Sequence, residues 1–361
     1  MNDITRKLAS IRRISEIKPI EGADNIICAV VDGWELVTQK SNNFQPNDLV
    51  AYFEIDSFLP MTERFEFLRK SSYKKMGDEE GFRLKTIKLR GQISQGLILP
   101  LSEFMEEITN IKNADGQSLS EFIDEGLDLT EILGVKKWEP PIPAELAGKM
   151  RGNFPSWIVK TDQERIQNVF KYHHRHAGQD YEATIKLDGS SMTVYVKDGY
   201  VGVCSRNIDL LEEESNTFWN VARKINIVGA LELYAETYHK NIAIQGELMG
   251  PGIQGNREDL KDHRFFVFDV FDINSGDYLS PSERKSVLDD LRYFGATLHH
   301  VPVIGNVNMN MFTSVQDFLD YADKQSSFNN PIAEGVVFKS IDGRRNSFKV
   351  ISNKFLLKEK N

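Results

Sequence analysis

Lys186 stands in the run Thr184-Ile185-Lys186-Leu187-Asp188-Gly189, in the middle of an alternating strand pattern. A lysine amine attacks phosphorus only as the free base. Its ordinary pKa is about 10.4, so such use requires desolvation or nearby positive charge, including that of a metal ion. Asp188, two residues on, faces the same side of a strand and can orient the amine or a metal-bound water. Gly189 lets the backbone turn close to a ligand. A lysine beside a tight turn is ordinarily just solvated, so the reading depends on companions. Glu247 in Ile244-Gln245-Gly246-Glu247-Leu248 and Glu334 in Ala333-Glu334-Gly335-Val336-Val337 are single acids inside apolar strands. Such acids are costly unless they meet a cation, or else they lie on an edge facing water. Together with Asp188 they form a carboxylate set suited to a hydrated magnesium ion. Arg206, Lys339 and Lys349 supply cations for phosphate oxygens, and the aromatic run Phe265–Phe271 contains a ring, Phe268, that can stack on a base. Aromatic strands are more often core than platform.

The elements that must position these residues fall into two groups. From about residue 10 to 105, IICAVV, WELVT, DLVAYFEI, FRLKTIKL and GLILPL read as short strands separated by Asp32-Gly33, Gln45-Pro46-Asn47-Asp48 and Arg90-Gly91. That punctuation predicts a small OB-like β-barrel. Residues 101–135 read as helical and acidic, and Trp138-Glu139-Pro140-Pro141-Ile142-Pro143 cannot continue a helix. The expected division is an OB-like module with a helical tail over 1–137, a Pro-rich linker over 138–160 and a second domain over 161–361. In the second domain EATIKLD, MTVYV, YVGVCSRN, IAIQGEL, RFFVFDVFDI, EGVVFKS and NSFKVIS read as strands, and 215–238, PSERKSVLDDLRYFGA and SVQDFLDYADK as helices. The class is α+β, built on antiparallel strands with flanking helices and without a Gly-rich strand-to-helix phosphate loop.

Composition narrows the field less. The chain has 361 residues, 40% of them apolar, and a net charge of −9, which argues against a protein that coats nucleic acid through a uniformly basic surface. An acidic protein can still bind nucleic acid through a local basic groove. In the first module Arg69, Lys70, Lys74, Lys75, Lys85 and Arg90 are available for one, or form an ordinary solvated face. No long apolar run or leader pattern is present, so the expectation is a soluble, cytoplasmic protein with no membrane partner. Cys28 and Cys204 have no metal-ligand or disulfide companions in sequence and read as reduced, buried thiols.

Taken in order, these segments resemble the motifs of the covalent nucleotidyltransferase superfamily, which contains RNA ligases, DNA ligases and mRNA capping enzymes. The resemblance covers about residues 151–361 and implies an ATP-grasp-like RNA/DNA ligase domain. KLDGSS resembles motif I, with Lys186 at the position of the lysine that carries AMP. CSRN is similar to the next motif and places Arg206 at a ribose- or RNA-contacting position. QGELMGPG resembles motif III and supplies Glu247. FFVFDV resembles motif IIIa, in which Phe268 would stack on adenine. EGVVFKS is similar to motif IV, with Glu334 and Lys339, and SFKVIS occupies the place of motif V, with Lys349. Motif V of many relatives has a second lysine where this chain has Ile351; Lys354, three residues later, is the candidate replacement.

The OB-like module, WEPPIP, FPSW and KTDQERIQN extend the likeness to the Deinococcus-type RNA ligase family over nearly the whole chain. The sequence stops soon after Lys349, and the expectation is therefore the RNA ligase branch, without the C-terminal OB domain of DNA ligases and capping enzymes. The resemblance implies ATP as cofactor with AMP carried on Lys186. It also implies Mg2+ or Mn2+ held through water by Asp188, Glu247 and Glu334. The substrate it implies is RNA, with 3′-OH and 5′-phosphate ends joined by a monomer, including at nicks in RNA/DNA duplexes whose 3′-OH strand is RNA. Two alternatives stay open: another nucleotidyltransferase of DNA ligase or capping type, and a degenerate, non-catalytic RNA-binding protein.

Overall fold

The computed structural model describes residues 6–110, 123–139, 148–342 and 346–358. The chain divides into two compact units, Met1–Pro141 with Leu356–Asn361, and Ile142–Phe355. The expected 138–160 linker falls partly on residues 140–147, outside the described residues.

The first unit is built on a curled antiparallel sheet in the order Leu97–Pro100, Leu49–Phe53, Ala9–Pro19, Ile26–Val31, Trp34–Gln39. The long strand Ala9–Pro19 pairs with Leu49–Phe53 through its first half and with Ile26–Val31 through its second, bending at an irregularity between Ile14 and Glu16. Bulges of this kind sharpen the twist and let one strand serve two parts of a curling sheet. The amide of Gln95 donates to the Glu35 carbonyl at 2.7 Å, carrying the curl round towards the last strand. A second sheet contains Ser57–Pro60, Glu79–Arg83 and Tyr73–Met76. The single run FRLKTIKL thus divides between two elements, Glu79–Arg83 and Ile87–Leu89. The helical reading of 101–135 holds for Leu101–Phe104 and Met105–Asn110 and needs correction beyond them. Residues 111–122 lie outside the described residues, and 123–135 are turns. Gly126 has φ +93°, a left-handed conformation that no helix accommodates.

In the second unit two sheets face each other. The larger contains Met150–Asn153, Ile208–Leu210, Tyr200–Cys204, Ser190–Lys197, Ile242–Met249 and Arg264–Asp272 in that order. Its outer face buries Val194, Val203, Ile244 and Val267 against the helices Thr217–Lys224, Ile227–Tyr238 and Pro281–Tyr293. The single helix expected over 215–238 is two helices, because Asn226 between them has φ +54°. The smaller sheet runs Glu164–Arg165, Ser347–Ile351, Gly335–Ser340, Asp180–Lys186, Val303–Asn308 and packs against the helix Val315–Ala322. Only Leu187-Asp188-Gly189 separate Lys186, the end of a strand in the smaller sheet, from Ser190, the start of one in the larger.

Buried charge joins the two sheets. Arg284, 2% exposed in the first turn of the helix Pro281–Tyr293, pairs with Glu182 of the smaller sheet. Its Nη1 lies 4.0 Å from Oδ1 of Asp269 in the larger sheet. Asp269 also pairs with Lys339 Nζ at 2.8 Å. Arg284→Ala would leave two buried carboxylates with one cation fewer, a change that costs about 3–5 kcal/mol in comparable settings. We expect a matching fall in urea stability; a variant within about 0.5 kcal/mol of the parent would show that the sheets do not rely on this pairing.

Candidate active site

A cavity of about 320 Å³ opens between the two sheets. Eight of the nine residues singled out in the sequence line it: Lys186, Asp188, Arg206, Glu247, Phe268, Glu334, Lys339 and Lys349. The ninth, Lys354, is exposed and directs its Nζ to the Asp323 carbonyl at 3.4 Å, outside the cavity lining. Ile351 is 6% exposed and belongs to the apolar interior.

Lys186 Nζ is 2.6 Å from Glu334 Oε2. The strand register sets this meeting, since Lys186 pairs with Gly335 across the sheet. Burial, the largest single influence on the amine, works to lower its pKa, but Glu334, Glu247 and Asp188 outweigh it and hold the pKa above the ordinary lysine value. Asp188 Oδ2 lies 2.8 Å from Arg257 Nε, and the Arg257 guanidinium in turn stacks 4.5 Å from the centre of the Phe355 ring. Glu247 Oε1 accepts the backbone N–H of Gly189 at 3.0 Å. Burial pushes the Glu247 carboxyl up to about 7 against the pull of Lys186, with Glu334 adding repulsion. Among the described residues no group of three His, Cys, Asp or Glu side chains forms a ready-made metal cage. Three carboxylates crowded round one ammonium nevertheless suit a hydrated divalent cation, which would relieve that crowding through water-mediated contacts.

The opposite electrostatics prevails at Lys349. Burial, aided by Lys186 and Arg165, pushes its ammonium down to about 8, a crowding of cations that an anionic ligand would ease. Lys339 is held lower than usual chiefly by burial. Its Nζ donates to the Phe268 carbonyl at 2.5 Å and lies 5.3 Å from the centre of the Phe268 ring. Phe268 owes its position to a bulge: Gln245 pairs with Asp269 and Gly246 with Val267, which leaves Phe268 as the extra residue. The bulge re-aims both Phe268 and Asp269 towards the cavity side. Arg206, beyond the strand Tyr200–Cys204, is exposed and pairs with Asp162 at 2.7 Å.

Several lining residues carried no assignment in the sequence reading. Thr161, Asp162 and Gln163 come from the KTDQERIQN segment, and Gln254 lies just beyond QGELMGPG. Arg257 follows three residues later, in a loop anchored by buried Glu258, whose Oε2 accepts the Asn329 amide at 2.7 Å. Polarity alone could not distinguish these residues from ordinary loop side chains.

Two family models match the chain, an OB-fold domain over residues 8–101 and RNA ligase over residues 179–351. The solved structure of Naegleria gruberi RNA ligase with PPi is 44% identical, with a TM-score of 0.82, and the match covers 98% of this chain and 99% of that one. The chain belongs to the RNA ligase family. A lysine-to-alanine variant of the Naegleria RNA ligase with ATP and Mn matches at 43% identity and a TM-score of 0.83, over 98% of this chain and 99% of that one. A lysine-to-methionine variant with AMP and Mn gives the same four values. No curated protein matches the chain. As a member of the RNA ligase family, the chain carries its OB-fold domain ahead of its α+β nucleotidyltransferase domain.

The turn between the two sheets is closely packed. A Cβ on Gly189 would lie 2.5 Å from the Leu248 carbonyl oxygen and 2.9 Å from Glu247 Cγ. Gly189→Ala is therefore expected to cost about 1–3 kcal/mol of overpacking. At about 2–4 °C per kcal/mol for a domain of this size, a thermal melt resolves that loss. An unchanged Tm would mean that the turn has room to shift.

Proposed function

We propose that this RNA ligase family member is ATP-dependent and joins RNA 3′-OH and 5′-phosphate ends through an AMP carried on Lys186. The observation that carries the reading is the setting of Lys186, 2.6 Å from Glu334 inside a cavity that also holds Phe268 and Lys349 with its buried ammonium. The Naegleria structures with ATP and Mn, and with AMP and Mn, support the choice of nucleotide and of a divalent ion.

In this reading the adenine lies against Phe268 and the phosphates face Lys349. Lys186 Nζ attacks the α-phosphorus; the N–P bond forms as the bond to pyrophosphate breaks. Glu334 Oε2 is placed to hold the proton that the amine sheds. A divalent ion held through water by Asp188, Glu247 and Glu334 would favour the neutral amine and offset charge on the α-phosphate. Lys339, tied to the Phe268 carbonyl and Asp269, fixes the base platform as well as adding positive charge near the phosphates. AMP then passes to the RNA 5′-phosphate, and the 3′-OH displaces it. Arg206, exposed at the cavity mouth, contacts the RNA in those later steps. The substrate assignment includes nicks in duplexes whose 3′-OH strand is RNA, acted on by a monomer.

Incubation with radiolabelled ATP or GTP and either Mg2+ or Mn2+, followed by denaturation, tests the covalent step. Label from ATP alone, lost in Lys186→Ala, is expected. Protein freed of bound AMP that takes no label with any metal would favour a degenerate RNA-binding protein instead. Lys349→Ala should slow labelling roughly 100-fold or more, as removal of a transition-state charge donor does, whereas Lys354→Ala should leave it unchanged. Arg206→Ala should label normally yet seal poorly; equal loss in both steps would remove its separate role.

A further inference from the structure

On the cavity side of the larger sheet, a second set of side chains lies beyond the cavity mouth. Trp157 and Tyr200 are 37% and 44% exposed. Each has a cation beside it. The Arg151 guanidinium carbon is 4.1 Å from the centre of the Tyr200 ring, and Lys197 Nζ is 5.5 Å from a Trp157 ring centre. The rings stand on a rigid base. Trp157 meets buried Tyr195 edge-on, with centroids 5.0 Å apart, and Tyr195 donates its hydroxyl to Asp209 at 2.9 Å. Arg151 lies 3.5 Å from the same Asp209 carboxylate.

Two stretches of backbone lead from this shelf to the cavity. Four residues after Trp157 the chain reaches Thr161, Asp162 and Gln163, which line it; the strand from Tyr200 ends at Cys204, just before Arg206, which also lines it. Lys160 Nζ ties the stretches together by donating to Asn207 Oδ1 at 3.1 Å. Arg151, Lys160 and Lys197 give the shelf positive charge that Asp198 and Asp209 only partly offset, and the neighbouring Glu212 is matched by Arg223. A cation over one face of each ring leaves the other face for a base and offers its own charge to a phosphate. An apolar peptide helix would need a concave groove instead. The strand from Tyr200 to Cys204 spans about 13 Å at about 3.3 Å per residue, which sets the shelf back from the cavity by more than a single nucleotide.

We propose that the Trp157–Tyr200 shelf stacks bases of the RNA strand that leaves the cavity, several nucleotides from the reacting end, and so sets a minimum strand length for efficient sealing. The inference rests on the ligase reading and extends it. The test uses the full chain with Trp157→Ala, Tyr200→Ala, their double variant and the conservative Trp157→Phe. Self-adenylylation with ATP should match the parent in all four. Sealing of pre-adenylated RNA with strands of about 12 nucleotides should fall at least about fivefold in the double variant, with Trp157→Phe largely restored. With the strand over the shelf shortened stepwise, parent and variants should converge on equally poor sealing once no base reaches the rings. Shortening the 3′-OH and the 5′-phosphate strands separately shows which of them runs over the shelf. Parent-level sealing of long strands by the double variant, or an equal loss on long and short strands, would overturn the proposal. Absence of label on the unaltered protein is a different failure, one that strikes the ligase reading itself.

Discussion

Arg284 reaches from the first turn of an outer helix to the interior, where it meets Glu182 on one sheet and Asp269 on the other. Lys339 closes the group by pairing with Asp269 and donating to the Phe268 carbonyl. Charges this deeply placed are tolerated only when each has its counterpart, so the separation of the two sheets is fixed by the geometry of ion pairs as well as by apolar packing. The cavity inherits that separation. The ring proposed to receive the base belongs to the residue whose carbonyl Lys339 holds, so the outer helix, with no side chain of its own in the cavity lining, takes part in shaping the site.

Within that frame the site is electrostatically divided. Around Lys186 the carboxylates outweigh burial and hold the amine charged; around Lys349 burial, with Lys186 and Arg165 adding to it, weakens the charge. A phosphate chain answers the second imbalance and a hydrated divalent ion the first. The arrangement thus suits a nucleotide and a metal ion together better than either alone. The three-residue passage from Lys186 to Ser190 makes the division possible, because it carries the chain from one sheet to the other within reach of Glu247.

Most strands were legible because alternation of apolar and polar residues has period two whatever the tertiary context: IICAVV is the strand Ile26–Val31 without change of boundary. The missed or altered elements have particular causes. Ser57–Pro60 is buried at its first three positions and Tyr73–Met76, YKKM, buries none, so neither shows the period-two pattern. The split at Asn226 depends on a left-handed residue that composition does not reveal. In the site, Lys186, Asp188, Glu247 and Glu334 stood out because acids and lysines are anomalous inside apolar strands. Arg257 did not, because an arginine in a glycine-rich polar loop is unexceptional until the fold carries it to Asp188. The bulge at Phe268 was likewise invisible, since register is a property of two strands and not of either sequence alone.

The depressed ammonium of Lys349 has a thermodynamic corollary. A group that burial pushes down to about 8 recovers towards its ordinary value once phosphate lies beside it, so at and above that pH capture of the nucleotide takes up a proton from solvent. Affinity for the anionic ligand then declines as pH rises through about 8. The same burial that lowers the Lys349 ammonium couples occupancy of the cavity to the hydrogen-ion activity of its surroundings.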